Sequence, residues 1–116
     1  MHLLASIVHA EARGESYLGK VAVAAVVINR IKSPGFPNTI KEVVYQPAAF
    51  TCVSDGQIKL KPGLDSYRAA SDAILGADPT AGSLFYLNPA TASSSWMQER
   101  ASQKTAITIG NHVFTK

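Results

Sequence analysis

The chain has 116 residues, of which 47% are hydrophobic, so it is long enough for a buried core and we expect residues 1–116 to form a single domain. Its 11 Lys and Arg residues outnumber its 8 Asp and Glu residues, which favours anionic polymers in general, but they are scattered, without a run or interleaved aromatics. We therefore expect no nucleic-acid partner, and no membrane insertion because the longest apolar run, residues 21–28, is far shorter than the roughly 20 residues of a spanning helix.

The first two predicted elements are helices. The first is short and should end near Gly14, and its apolar stripe has a carboxylate at its last position: Leu4, Ile7, Val8 and Glu11. Ser16 can cap a second helix from about Tyr17 to Ile31. Because this helix is rich in valine and alanine on more than one face, we expect it to be the buried centre of the domain.

The middle of the chain should contain two more helices and a hairpin. After the turn-forming residues 33–38, Thr39 can cap a short third helix that runs through Val44 and Tyr45. Residues 48–60 read as two short strands joined by a tight turn at Asp55-Gly56, and a fourth helix is predicted from roughly Asp65 to Leu75.

The carboxyl end should be rich in strands. Residues 84–87 form an apolar-aromatic run, and two further apolar segments, 107–109 and 112–114, flank Gly110-Asn111, a pair suited to a type II′ turn. The whole pattern predicts a mainly α domain with small β-hairpins, an α+β fold.

Glu11 is the first candidate for chemistry. A carboxyl group on an apolar stripe is held closer to its neutral form than one in water, which is what a proton donor needs. The competing interpretation is a structural ion pair with Arg13 or Arg30, or a bond to a backbone amide, and spacing alone does not separate the two.

Other residue types offer weaker leads. Glu15 could share the helix face with Glu11 as a second carboxylate, but Gly14 lies between them, and Glu15 is better read as a first-turn acid of the second helix. The three histidines have no metal-ligand spacing, no serine lies in a nucleophile elbow, and Cys52 is more readily a packed apolar residue than a nucleophile. We expect no metal and no cofactor.

Several segments resemble the SleB-like cell wall hydrolase family. The opening run Ala10-Glu11-Ala12-Arg13-Gly14-Glu15 is followed by a second matching stretch, residues 19–30. Further matches come in the family's order and extend the resemblance over roughly residues 3–114: Phe36-Pro37-Asn38-Thr39-Ile40, Val44-Tyr45-Gln46-Pro47, Asp55-Gly56-Gln57-Ile58, Phe85-Tyr86-Leu87-Asn88-Pro89 and Ile109-Gly110-Asn111-His112-Val113-Phe114.

The resemblance implies a lysozyme-like fold related to lytic transglycosylases, in which Glu11 is the essential acid/base. It implies a peptidoglycan glycan strand as substrate, with Tyr86 and Asn88 orienting the reaction and with further substrate-binding residues at Phe50, Thr51, Gln57 and Trp96. Four of these residues also have a plainer interpretation: the aromatic rings of Tyr86, Phe50 and Trp96 can simply pack in the structure, and Asn88 before Pro89 can shape a turn. His112, beside the predicted hairpin turn, can likewise be a surface or structural histidine.

Alternatives from other classes stay open. A hydrolytic muramidase or glucosaminidase, an amidase that cuts the peptide, or a non-catalytic glycan-binding module would also suit a basic domain with exposed aromatics. By resemblance we expect a monomer located in the spore or cell envelope, although the amphipathic pattern that begins after His2 does not read as a secretory leader.

Overall fold

The structure is a computed structural model that describes residues 1–47, 49–91 and 95–116, with the side chains of Thr51 and Met97 also outside the description. Six α-helices, a short 3-10 helix and three strands are found in these residues. One hydrophobic core joins the helices to the inner face of a small sheet. The predicted mainly α architecture with a small β component is confirmed.

The two amino-terminal helices form the centre of the domain. Helix α1 spans His2–Glu11 and α2 spans Tyr17–Lys32. Ser16 caps α2 as predicted, because its hydroxyl accepts a hydrogen bond from the backbone N–H of Gly19 at 3.2 Å. From Val21 to Val27 every residue of α2 is buried, so the prediction of a central helix is confirmed.

Helix α3 spans Ile40–Val44, and the Thr39 hydroxyl accepts from the N–H of Glu42, as the sequence predicts. The predicted hairpin at residues 48–60 is wrong. A short helix α4, Thr51–Ser54, is followed by a 3-10 helix, Gln57–Lys59, that starts after Gly56 in the left-handed region. An isolated hairpin is marginal in water, and the described strands all lie elsewhere, so this segment satisfies its backbone groups locally.

Helix α5 spans Leu64–Ile74 and packs against both α1 and α2. The loop that follows is organised by Asp78, whose carboxylate accepts hydrogen bonds from the N–H of Thr80 and Gly82 and from the Asn29 amide. This loop therefore ties the end of α5 to α2 and leads the chain into the first strand.

The sheet has three antiparallel strands in the order β1-β3-β2: Phe85–Leu87, His112–Thr115 and Ile107–Ile109. Strands β2 and β3 form the predicted hairpin, with Gly110 at a φ of 60° in its turn. Helix α6, Ser95–Ala101, lies between β1 and β2 and was not predicted. The register places Tyr86 beside Phe114 on the middle strand. No helix of the described residues is both long and apolar enough to cross a bilayer.

Candidate active site

Glu11 is the last residue of α1 and is partly buried. Its Oε1 accepts a hydrogen bond from the hydroxyl of Tyr86, which lies 75 residues away in sequence. Neither Arg13 nor Arg30 forms an ion pair with it in the described part of the chain. Of the two interpretations left open by the sequence, the structure therefore disfavours an ion pair and leaves Glu11 as a carboxyl group held by a neutral donor.

Tyr86 is presented to Glu11 by the short strand β1. Its ring packs edge-on against His112, with centroids 5.2 Å apart. It also packs against Phe114 in a tilted arrangement, with centroids 5.8 Å apart. Burial raises the pKa of Tyr86 well above its ordinary value, and the negative charge of Glu11 and their hydrogen bond raise it further. The tyrosine hydroxyl thus keeps its proton and remains a donor to Glu11 throughout the ordinary pH range.

Cys52 contributes a second contact to the same carboxylate. The side chain is 2% exposed on α4, and its thiol lies close to the Glu11 carboxylate. Burial raises the pKa of the Cys52 thiol to about 12, and the nearby Glu11 carboxylate raises it further. The thiolate form that a cysteine nucleophile needs is therefore suppressed, which favours the packed interpretation of Cys52.

Arg30 lies beneath this group and was missed as a site residue. It is 8% exposed, its Nε donates to the carbonyl of Leu84 at 2.7 Å, and its guanidinium lies over three aromatic rings at 5.2 to 5.5 Å: Phe36, Phe50 and Phe85. Burial lowers the pKa of Arg30, and the nearby Tyr86 and Glu11 partly offset this. An arginine on the apolar face formed by Val23, Val26 and Val27 was the available sequence signal.

Glu15 occupies neither position predicted for it. It precedes the cap residue of α2, so it is not a first-turn acid, and its carboxylate instead accepts from the backbone N–H and side-chain amide of Asn111 at 3.0 and 3.1 Å. His112 Nδ1 lies 3.3 Å from the same carboxylate. The glutamate is thus bound to the β2–β3 turn, a contact across 96 residues that helix periodicity does not reveal.

The predicted substrate-binding residues differ in how far their side chains are exposed to a ligand. Phe50 is 5% exposed and supports Arg30, which leaves little of its ring for a sugar. The Thr51 side chain lies outside the described residues. Gln57 is exposed at the start of the 3-10 helix, and its backbone N–H donates to Asp55.

Asn88 directly follows strand β1, and Trp96 lies on helix α6. The Asn88 side chain accepts from the N–H of Ala90 at 3.0 Å, which is the turn-shaping role that the sequence also allowed. Trp96 is 49% exposed, packs edge-on against Phe85 at 5.4 Å, and is covered on one face by the Arg100 guanidinium at 4.2 Å. A surface groove of about 380 Å³ runs alongside it. Trp96 is therefore both an anchor and an available aromatic surface.

No group of three or more His, Cys, Asp and Glu side chains within the described ranges is arranged to hold a metal ion. The described side chains around Glu11 are instead a phenol, a thiol and a caged guanidinium. Such a set can hold and orient one carboxyl group, which lies partly exposed at the end of α1.

Comparison with known proteins shows which family the chain resembles. The family model described as Cell Wall Hydrolase matches residues 14–115, beginning just after Glu11. The spore cortex-lytic enzyme of Bacillus cereus is 50% identical over 116 residues, which make up 100% of this chain and 44% of that protein. The chain thus spans less than half the length of this relative.

Two solved structures share the fold. The catalytic domain of the Bacillus cereus SleB protein superposes with a TM-score of 0.89 at 50% identity, covering 99% of this chain and 88% of that one. The catalytic domain of the germination-specific lytic transglycosylase SleB from Bacillus anthracis gives a TM-score of 0.90 at 49% identity, covering 99% of this chain and 92% of that one.

Proposed function

Because the chain belongs to the cell wall hydrolase family, we propose that it cuts the glycan strands of peptidoglycan as a lytic transglycosylase, with Glu11 as the acid/base. A similar solved domain is a germination-specific lytic transglycosylase, and a similar curated protein is a spore cortex-lytic enzyme. We extend both to this chain: its substrate is spore cortex or a related cell wall, met outside the cytoplasm, and the domain acts as a monomer without nucleic acid or cofactor.

The observation that carries this proposal is the setting of Glu11. Its carboxyl group lies partly exposed at the end of α1, in contact with the hydroxyl of Tyr86 and without an ion pair among the described residues. A structural carboxylate in this position would be neutralised by a cation, whereas a reacting carboxyl group must be able to gain and lose a proton. The hydroxyl that donates to Glu11 is uncharged, so this contact is not the ion pair expected of a structural carboxylate.

The proposed reaction needs only this one carboxyl group. Glu11 protonates the oxygen that links muramic acid to glucosamine, and the bond from that oxygen to the muramic C1 breaks. The resulting Glu11 carboxylate then accepts the proton of the muramic C6 hydroxyl. At the same time the C6 oxygen bonds to C1 and closes a 1,6-anhydro ring. Because the nucleophile belongs to the same sugar, proximity can contribute up to about 7 to 11 kcal/mol and no second carboxylate is required.

Tyr86 is proposed to orient Glu11 during both proton transfers. Its hydroxyl fixes the plane of the carboxyl group through the bond to Oε1 and stays protonated because burial raises the pKa of Tyr86. A hydrogen bond to a charged group contributes about 1.5 to 3 kcal/mol, so Tyr86→Phe should lower kcat by roughly 10-fold to 100-fold. Gln57, Trp96 and Asn88 remain proposed contacts to the glycan strand, while Phe50 supports Arg30 from the core.

The test is mass spectrometry of peptidoglycan from spore cortex and from vegetative walls, digested with the wild type, Glu11→Gln and a control variant. Glu11→Gln removes the transferable proton with almost no change in shape. Glu42→Gln makes the same chemical change at an exposed glutamate in the first turn of α3, where it accepts a hydrogen bond from the Thr39 hydroxyl, so it controls for non-specific effects of lost charge.

The expected products are anhydro-muropeptides from the wild type and Glu42→Gln, and none from Glu11→Gln. Reducing ends would instead identify a hydrolytic muramidase or glucosaminidase, and new free amines would identify an amidase. Wall disruption by Glu11→Gln at the wild-type level would overturn the assignment and favour a glycan-binding module.

A further inference from the structure

The turn between β2 and β3 is closely fitted to the side chain of Glu15. That side chain is only 7% exposed, and its two carboxylate oxygens accept from the backbone N–H and the amide of Asn111. A methyl group on Gly110 would lie 2.7 Å from Oε1, so the turn has room for the carboxylate only because this residue is glycine. Glu15 therefore fixes the position of the residues that follow the turn.

His112 is the first residue after that turn, and it touches both Glu15 and the proposed active site. Its Nδ1 lies 3.3 Å from Oε1 of Glu15, close enough for attraction although the angle is not that of a directed hydrogen bond. The imidazole packs edge-to-face against the Tyr86 ring, with centroids 5.2 Å apart and ring planes at 76°. The position of the imidazole therefore constrains the position of the tyrosine ring.

These contacts form a continuous series from Glu15 through His112 and Tyr86 to Glu11. We propose that Glu15 and His112 are positioning residues for the reaction: they hold the Tyr86 ring so that its hydroxyl meets the Glu11 carboxyl group. This inference rests on the proposed function of Glu11. It assigns the second glutamate of the Glu11-to-Glu15 segment to orientation of the first.

The geometry argues against a direct role for Glu15 as a second catalytic carboxylate. Its oxygens already contact two donors of Asn111 and approach His112, and its low exposure leaves little access for a sugar or an activated water. An orienting role also has sufficient energetic weight, because a shift of about 1 Å in a reacting group can cost on the order of 100-fold in rate.

A double-mutant cycle separates positioning from general structural support. Glu15→Gln and His112→Phe are made in the wild type and in Tyr86→Phe, and kcat and KM are measured on soluble, uncrosslinked glycan strands by the appearance of anhydro-muropeptides. His112→Phe keeps an aromatic ring beside Tyr86 and leaves the hydrogen bonds between Glu15 and Asn111 in place, so it remains informative if Glu15→Gln folds poorly. Melting temperatures are recorded for every variant.

We expect each substitution to lower kcat by about 10-fold in the wild type, with little change in KM, but by no more than about 2-fold once Tyr86 is phenylalanine. The loss of melting temperature should be the same in both backgrounds. Equal kcat losses in the two backgrounds would overturn the inference, as would effects confined to KM.

Glu11→Gln in the same assay distinguishes the two proposals. If Glu11→Gln is active, the proposed function fails, whereas an inactive Glu11→Gln with additive losses in the cycle overturns the positioning role alone.

Discussion

Replacing Gly110 with alanine perturbs the contact on which the positioning of the β2–β3 turn depends. The residue has a φ of 60°, and an added methyl group would lie 2.7 Å from Oε1 of Glu15. Carbon and oxygen do not approach this closely without repulsion, so the carboxylate must move. When it moves, its bonds to the backbone and side chain of Asn111 lengthen or break.

The expected cost has two parts. Left-handed backbone costs an alanine about 1 to 2 kcal/mol. A hydrogen bond to a charged group contributes about 1.5 to 3 kcal/mol, and at least one such bond to Glu15 should be lost. The free energy of unfolding should therefore fall by about 3 to 5 kcal/mol, which for 116 residues is a fall in melting temperature of roughly 12 to 20 °C.

Gly82→Ala provides the matched control. Gly82 also has a positive φ, 86°, but a methyl group there would meet nothing within 4 Å. Only the backbone cost applies, so its melting temperature should fall by about 4 to 8 °C. Differential scanning calorimetry of both variants measures the contrast, and equal losses would refute the view that Glu15 fills the space beside Gly110. Gly110→Ala should also lower kcat, while Gly82→Ala should leave it near the wild-type value.

Three further predictions follow from the groups around the core. Arg30→Lys loses the planar contacts to the aromatic rings and the Nε bond to Leu84, so calorimetry should show a melting temperature lower by at least roughly 6 to 12 °C. An unchanged melting temperature would contradict the view that the rings and the Leu84 carbonyl hold the guanidinium. Because burial raises the pKa of Cys52 to about 12, iodoacetamide at mildly alkaline pH should label the thiol only after denaturation, and rapid labelling of the native protein would contradict its placement. Burial alone would raise the pKa of Asp78, but hydrogen bonds from Thr80, Asn29 and Gly82 lower it overall. The ionised form of Asp78 therefore stabilises the fold above about pH 4, and this contribution is lost as the pH falls through the native pKa. In urea unfolding the stability difference between the wild type and Asp78→Asn should therefore shrink in acid, and a difference independent of pH would contradict it.

Most of the helical fold follows from local signals. Ser16 and Thr39 cap α2 and α3 as predicted, and the run of small apolar residues in α2 does lie at the centre. The wrongly predicted hairpin at residues 48–60 shows the limit of such signals. Alternation of apolar residues there suits a strand, but a strand also needs a neighbour, and a local pattern does not say whether one exists.

The candidate site was predictable where a charged side chain lies on an otherwise apolar face of a predicted helix. Glu11 was recognisable as a carboxylate on an apolar stripe, and the family resemblance implied Tyr86, which the structure brings into contact with it. Arg30 gave a similar signal on α2, but the sequence analysis considered it only as one of the scattered basic residues and as a possible ion-pair partner of Glu11. The contact between Glu15 and Asn111 was not predictable, because it joins segments 96 residues apart and depends on the folded turn.

Arg30 also connects the stability of the core with the geometry of the site. Its guanidinium joins α2 to the start of β1 through the carbonyl of Leu84, two residues before Tyr86. Arg30 therefore places a buried guanidinium near the carboxyl group that we propose as the acid/base. Because three aromatic rings and the Leu84 carbonyl already hold the guanidinium, it lies near Glu11 without forming an ion pair with it in the described part of the chain.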